Sequence, residues 1–460
     1  MAIATSWRAL AEHPSPLVLV PVTAEVTAEA AHGAAHHIVI PVSAPSAVIE
    51  LPRIDTRTAA MLLRDAGMEE GAAGQAGRLA RWSLSSMRRS IAVRPELHTP
   101  AWGTSPSRTL RGLLLAGRWN QGHDADQAAV TELTGATYEA LRETLAELAR
   151  VSDPFVAQID TSWMLVSVQD AWIQLREAIR ADDLDRLGPV LSRVLLERDP
   201  SLDLASGERW YAATVGKSFA YSADVRRGLA VTLAMLGIHG DAIDAGHGVS
   251  GVQWAGGVVR DLLSAANADA TGDTWNSMAS VLPVLAEAAP DAFLDGVRDA
   301  AAGETPVAVT MFTESDAATA TAEPSRHGQL LWALERLAWA PDYFGMVSAL
   351  LARLAEIDPG GRARNRPFSS LVSIFFLQQP GSAVSAERRM AVIKTLRDRH
   401  PAIAWQLMLA LLPSQFALYD PTAAPEFRDW KPDKPVSVNH SRTCRFHRHA
   451  RRVAGSRRWR

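Results

Sequence analysis

The sequence predicts a mainly α fold: a short α/β remnant, a helical lid, a winged helix, then an α-helical repeat-like array. Three observations lead there. Two short apolar runs, residues 17–21 (LVLVP) and 37–42 (HIVIPV), flank a helical stretch, the strand–helix–strand order of a parallel α/β layer. Residues 107–168 read as three short helices followed by a β-hairpin. From 169 to about 415 the apolar spacing is helical throughout, in antiparallel-looking pairs punctuated by Gly, Pro, Asp or Ser.

The elements follow in order. Residues 1–50 hold the two apolar runs with a helical TAEVTAEAAHGAAH between them. Two strands do not complete a doubly wound sheet, so the chain reads as starting inside a domain. Residues 51–100 form an all-helical unit. Asp55 or Thr56 caps RTAAMLLRDAG, which Gly67 ends, and a second helix carries AGRLARWSLSSMRRSIA. RPELHTPAWGTSP (94–106), with three prolines, reads as a linker.

Within 107–175, Ser107 caps a helix RTLRGLLLAGRW with Leu110, Leu113, Leu114 and Gly117 on one face. Asp124 caps ADQAAVTELTG, which Gly135 closes. Thr137 caps YEALRETLAELAR, with Tyr138, Leu141, Leu145 and Leu148 on one face. FVAQI (155–159) and WMLVS (163–167) then form a hairpin, and this order is that of a winged helix. Residues 176–420 form the array, without a strict period. Residues 303–325 read as an exposed insertion, and 421–460 as a disordered or frameshifted basic tail. Trp163, Trp172, Trp332, Trp339 and Trp405 sit beside Leu and Val and read as core.

Charge narrows the partners. The formal net charge is −3, but residues 441–460 carry eight Arg, two His and no acid. Residues 1–440 then hold 39 basic against 50 acidic residues, a net charge of −11. A body of that sign argues against polyanion binding. The third helix of the winged helix has Glu139, Glu143 and Glu147 against Arg142 and Arg150, and the hairpin has no Lys or Arg. Both argue against DNA reading and for a packing module. The tail reads first as out-of-frame translation of a GC-rich gene, given 43 Arg to four Lys, then as a solvated tail, and last as a nucleic-acid contact. The single cysteine, Cys444, excludes an internal disulfide and fits a reducing cytoplasm. Cys444, His447 and His449 do not match a zinc spacing. The apolar runs LVLVPV and LVSIFF (371–376) are too short to span a bilayer.

Two glycine motifs resemble nucleotide sites without their context. Gly216-Lys217-Ser218 ends like a P-loop, but Tyr211 stands where the first glycine belongs and the flanks are helical, with Ser206 or Gly207 as cap. Gly246-His247-Gly248-Val249-Ser250-Gly251 lacks the preceding apolar strand, so a loop between helices is expected. No Ser/His/Asp, Cys/His or paired-carboxylate set stands out. Arg88 and Arg89 close the helical unit, either as surface residues or with one of them reaching a phosphate.

The order of parts, with PLVLVPV, HHIVIPV and SLSSMRR, resembles that of bacterial STAND NTPases, signal-transduction ATPases related to the AAA+ class. The array segments LLWALERLAWAPDYFGMVSALLARLAEIDPGGR and NRPFSSLVSIFF are similar to the helical regions of such proteins. The resemblance covers about 1–430 and is architectural. It implies that 1–50 is the C-terminal remnant of a nucleotide domain, that the winged helix packs to keep the protein closed, and that the array senses a ligand. It further implies a role in signalling, antiphage defence included. Thr23 would lie just beyond the first sensor strand and Arg88 would be the lid sensor. Neither Walker A nor Walker B is found, so ATP or ADP would bind only if an upstream P-loop domain completed the site.

The expectation is therefore a cytoplasmic regulatory and sensor part of a STAND-like ATPase, not catalytic alone, with no metal and no membrane. Its partner would be a protein or ligand on the array, or the missing nucleotide domain. Two alternatives stand beside it: a helical-repeat scaffold that binds a protein, and a winged-helix transcription regulator.

Overall fold

The computed structural model describes residues 54–313, 326–361, 365–376, 381–412 and 421–432, together with two two-residue strands. β1 (Val18–Leu19) and β2 (His37–Ile38) pair in parallel, as a strand–helix–strand unit requires. Thr23, the helical reading between the strands, and the 441–460 tail with Cys444 lie outside the described residues.

The helical unit has three helices where the sequence predicts two. α1 (Thr56–Asp65) is capped by Asp55, which accepts from the Thr58 N–H at 2.9 Å. α2 (Glu70–Trp82) starts under the Glu69 carboxylate, which accepts from the Gly71 and Ala72 N–H groups. The expected second helix breaks at Ser83, whose backbone is extended (φ −156°, ψ 117°). Its hydroxyl then accepts from the Ser86 N–H and starts α3 (Leu84–Ile91). A serine that can cap competes with helix continuation, and here tertiary contacts favour the cap.

The linker is docked rather than free. Trp102 lies 4.9 Å from Phe155, ring to ring, and its indole N–H donates to the Asp153 carbonyl at 3.1 Å.

The next module begins with α4 (Arg108–Ala116), capped by Ser107. The expected helix runs to Trp119, yet it stops at Gly117, whose φ of +67° favours glycine. Residues Arg118–Asn120 form strand β3, which the sequence reading missed. α5 (Asp124–Thr134) takes His123, not Asp124, at its cap position, and ends at Gly135 in the left-handed region. α6 (Tyr138–Arg150) is capped by Thr137. The hairpin is β4 (Val156–Ile159) and β5 (Ser162–Leu165), turning at Asp160 with φ 53°. All three strands are antiparallel in the order β3-β5-β4. Trp119 faces Trp163 across the ladder, with ring centroids 6.4 Å apart. Their N–H groups reach the Tyr138 hydroxyl and the Gln121 side-chain carbonyl, both at 3.0 Å. α7 (Val168–Leu175) follows, capped by Ser167.

The array is a two-layer stack. One layer holds α9 (Ala223–His239), α12 (Leu282–Ala288), α15 (Arg326–Leu337) and α17 (Pro367–Phe375). The other holds α10 (Gly251–Ala268), α13 (Pro290–Ala300), α16 (Phe344–Ile357) and α18 (Ala386–Arg399). α8 (Ala181–Leu195) joins the array to the module, α11 (Asp273–Met278) and α14 (Val309–Thr313) fill turns, and α19 (Pro401–Ala410) closes the stack. The expected pairs α15/α16 and α18/α19 are present, whereas the helix expected over GDTWNSMASVLPVLAEAAP is broken by a 3-10 turn at Ala279–Val281 into α11 and α12 before α13 follows. α9 also packs on α4 and β3, so α4 is buried on every side rather than on one face. One continuous apolar core runs from α4 to α19.

Close approach at α9 demands small residues. A Cβ on Gly237 would sit 1.9 Å from the Ala288 carbonyl oxygen at the end of α12. Gly237→Ala should cost about 3 kcal/mol, seen as a lower urea midpoint with an unchanged slope.

Several other expectations change. Trp163, Trp172 and Trp339 are core, but Trp332 is 37% exposed, because α15 shows that edge to solvent. The 303–325 insertion begins inside the core: Ala308, Met311 and Phe312 are buried, and 314–325 lie outside the described residues. Residues 421–432, expected to be disordered or frameshifted tail, are packed across the array. The apolar pattern gave no sign of this, because polar contacts anchor them beside two isolated aromatics, Phe427 and Trp430.

His327 on α15 is buried, with its Nε2 2.7 Å from the Asn365 carbonyl and its Nδ1 without a partner. Burial holds its pKa below the ordinary histidine value, and Arg366 adds to this despite the Asn365 bond. The unfolded chain therefore takes up the proton first. His327 contributes stability above about pH 6.5 that is lost as pH falls. The thermal midpoint should drop between about pH 7 and 5, and His327→Gln should flatten part of that drop.

Candidate functional site

The two glycine motifs are helix ends and loops. Ser206–Val215 is a 3-10 helix beginning after Ala205, not an α-helix capped by Ser206 or Gly207. It ends at Gly216 in the left-handed region, and the Lys217 ammonium pairs with Asp203 at 2.7 Å. Gly246, His247 and Gly248 all have positive φ in the turn between α9 and α10, and Ser250 caps α10. Between the end of α9 at His239 and these residues runs a loop, with only an isolated bridge from Asp244 to Ser250 and no strand.

Of the site residues read from the sequence, Thr23 is outside the described residues and Arg88 is exposed on the last turn of α3. Arg88 reaches only Asp153, at 3.2 Å. Its neighbour Arg89 is the organising residue. Arg89 is 5% exposed. Its Nε donates to both oxygens of Asp170, at 3.1 and 3.0 Å, and its Nη1 to Asp153 at 2.7 Å. The guanidinium also lies 5.6 Å from the Trp102 ring centre. Asp170 is buried in the first turn of α7, where the helix dipole favours a carboxylate. It further accepts from the Ser86 hydroxyl at 3.0 Å, and the Ser83 and Ser167 hydroxyls meet at 2.8 Å. Burial alone would lower the Arg89 pKa, but the bonds to Asp170 and Asp153 outweigh it and raise it. The cation is thus locked on at any working pH. The cluster joins α3 to α7 and to the loop before β4.

A second polar centre lies on the array. Glu287, fully buried, sits in the last turn of α12, where the dipole disfavours a carboxylate. It accepts from Arg336 at 2.8 Å and from three consecutive backbone N–H groups, those of Glu426, Phe427 and Arg428. Successive N–H groups form a nest that suits an anion. The Arg428 guanidinium is placed by burial, which lowers its pKa, and donates to carbonyls of Gly237, Glu287 and Ala288. These carbonyls end α9 and α12 and have no partner within their helices. Beside this centre, an apolar cavity of about 190 Å³ is lined by Leu114, Met164, Trp172, Val231 and Phe427, with Arg227 and Glu426 paired at its rim.

Among the described residues, no group of three His, Cys, Asp or Glu could hold a metal ion. Among them, too, no helix is long and apolar enough to cross a membrane. Compared with known proteins, the chain matches no protein-family model, no curated protein and no solved structure.

Sequence reasoning missed Arg89 as the key member of its pair, and Asp153, Asp170 and Glu287 altogether. Two signals were present. Glu287 is the lone acid in the apolar run VLPVLAEAAP, and Ser167 and Asp170 stand at cap spacing.

Proposed function

We propose that the chain is the regulatory and sensor part of a STAND-like signalling ATPase of the cytoplasm, antiphage defence being one setting for it. In this reading, residues 51–100 are a lid, 107–175 a winged helix and 176–420 the sensing array. The observation that carries it is the buried Arg89 between Asp153 and Asp170. A regulatory protein needs a defined contact between the helical unit and the body that holds one arrangement and can be opened as a unit. A desolvated ion pair between two elements that are otherwise separate in the chain meets that need. The helix–strand–helix–helix–strand–strand order and the β3-β5-β4 sheet support the winged-helix name.

The exposed face of α6 supports packing over DNA reading. Glu139, Glu143 and Glu147 are exposed there, and Arg142 is already paired with Glu139. Phosphates would meet net negative charge. A second reading, a scaffold that binds a protein segment, is favoured by the manner in which residues 421–432 are held on α12 and α15.

Nucleotide binding tests the first reading. The full chain should bind no labelled ATP analogue alone, and should bind it when mixed with a P-loop polypeptide encoded directly upstream. Binding by the chain alone, or the lack of any P-loop coding stretch upstream, would overturn it.

A further inference from the structure

We infer that the face formed by α9, α12 and α15 is a receptor for a short bent peptide carrying a Phe-Arg pair, and that residues 421–432 occupy it in cis. The inference goes beyond the ATPase reading and holds whether or not that reading survives.

The receptor reads main chain. The Glu335 carboxylate accepts from the Ala423 N–H at 2.8 Å, and the Trp339 indole N–H donates to the Ala423 carbonyl at 3.0 Å. Three residues on, Glu287 accepts from the N–H groups of Glu426, Phe427 and Arg428. Both carboxylates are buried under the segment. A carboxylate at the negative end of a helix is a poor core residue and a good receptor for N–H donors.

The receptor also reads side chains. Phe427 forms part of the wall of the apolar cavity, as does Trp172, whose indole N–H is buried without a partner. Arg428 caps α9 and α12 through their unbonded carbonyls. Trp430 packs edge-on to Tyr343 at 5.9 Å. All these contacts fall between residues 423 and 430, a span that a separate peptide can supply. Backbone capture combined with one aromatic and one basic pocket is a recurrent mode of peptide recognition. The same segment touches α2, where the Trp82 indole N–H donates to Asp429 at 3.3 Å and Arg81 lies 3.6 Å from it. A partner peptide that displaces 421–432 would therefore release one hold on the helical unit.

The segment is tethered to α19 through ten residues, 411–420, so its effective concentration is high and a peptide in trans must compete with it. The test uses the full chain with Phe427→Ala and Arg428→Ala, which weakens the cis occupant. A fluorescently labelled peptide of residues 421–432 is titrated against it and followed by anisotropy. The variant should bind the peptide at least about tenfold tighter than the wild type does. Adding Glu287→Gln to the variant should weaken binding at least about tenfold, and a peptide with the same two alanines should not bind. If the double variant does not fold by circular dichroism, Arg428→Ala alone takes its place. A folded variant that does not bind, or binding unmoved by Glu287→Gln, overturns the inference.

Discussion

Replacing Arg89 with Met should weaken the hold between the helical unit and the module by about 3–5 kcal/mol, the usual effect of breaking a buried ion pair from one side. The reason is what remains. Asp170 stays buried with the Ser86 hydroxyl and its own cap, but without its cation, and Asp153 loses its shorter partner at 2.7 Å. Met fills similar apolar volume but also removes the guanidinium that lies 5.6 Å from the Trp102 ring centre, a smaller loss than the two ion pairs. Asp170→Asn should fall in the same range, since a neutral amide leaves the guanidinium underpaired in a dry site. Arg88→Ala should stay within about 0.5 kcal/mol, because that side chain is 64% exposed and its one pair is screened. Urea unfolding of the three variants checks this order. Equal effects at Arg88 and Arg89 would contradict it.

Replacing Glu287 with Gln should release residues 423–430. Gln keeps the shape but offers one acceptor oxygen, and it turns an NH2 group toward N–H groups that have no other acceptor. Arg336 would keep Glu426, at 3.3 Å, as its carboxylate partner. A loss of about 3 kcal/mol at this centre corresponds to a fall of about a hundredfold in the protection of the 426–428 amides from hydrogen exchange. The amides of α9 should keep their protection, since its packing on α4 and β3 does not depend on the segment. Unchanged exchange at 426–428 would mean that Glu287 is not what holds them.

The legible parts of the fold were those written in local chemistry. Ser107, Thr137 and Gly135 mark true helix ends, and two extended runs joined by a short turn mark the hairpin. β3 was hidden because Arg118-Trp119-Asn120 is too short to alternate and follows a leucine-rich helix. Only the ladder with β5 and the turn at Gly117 make it a strand. The break at Ser83 was hidden for a related reason. Serine is tolerated inside a helix, and what tips it toward capping is Ser167, 84 residues away.

The candidate sites were less legible still, because charged residues in a helical sequence read as solvated face. Arg88 and Arg89 are indistinguishable in sequence. Their roles separate only when α3 lies against α7, which sends one side chain to solvent and the other to Asp170. The 421–432 segment has no apolar period at all. Its fixed position comes from backbone N–H groups meeting Glu287, which lies about 140 residues earlier in the chain.

Native-state hydrogen exchange of the full chain, wild type beside Arg89→Met, tests most directly whether the helical unit is held as a separately releasable part. The account predicts that the wild-type amides of α1 to α3 exchange together at a lower opening free energy than those of α4, α7 and α9. It predicts that Arg89→Met lowers the value for α1 to α3 alone. If α1 to α3 open only with α9, at the same free energy and in both proteins, the helical unit belongs to the common core and Arg89 does not hold a releasable contact.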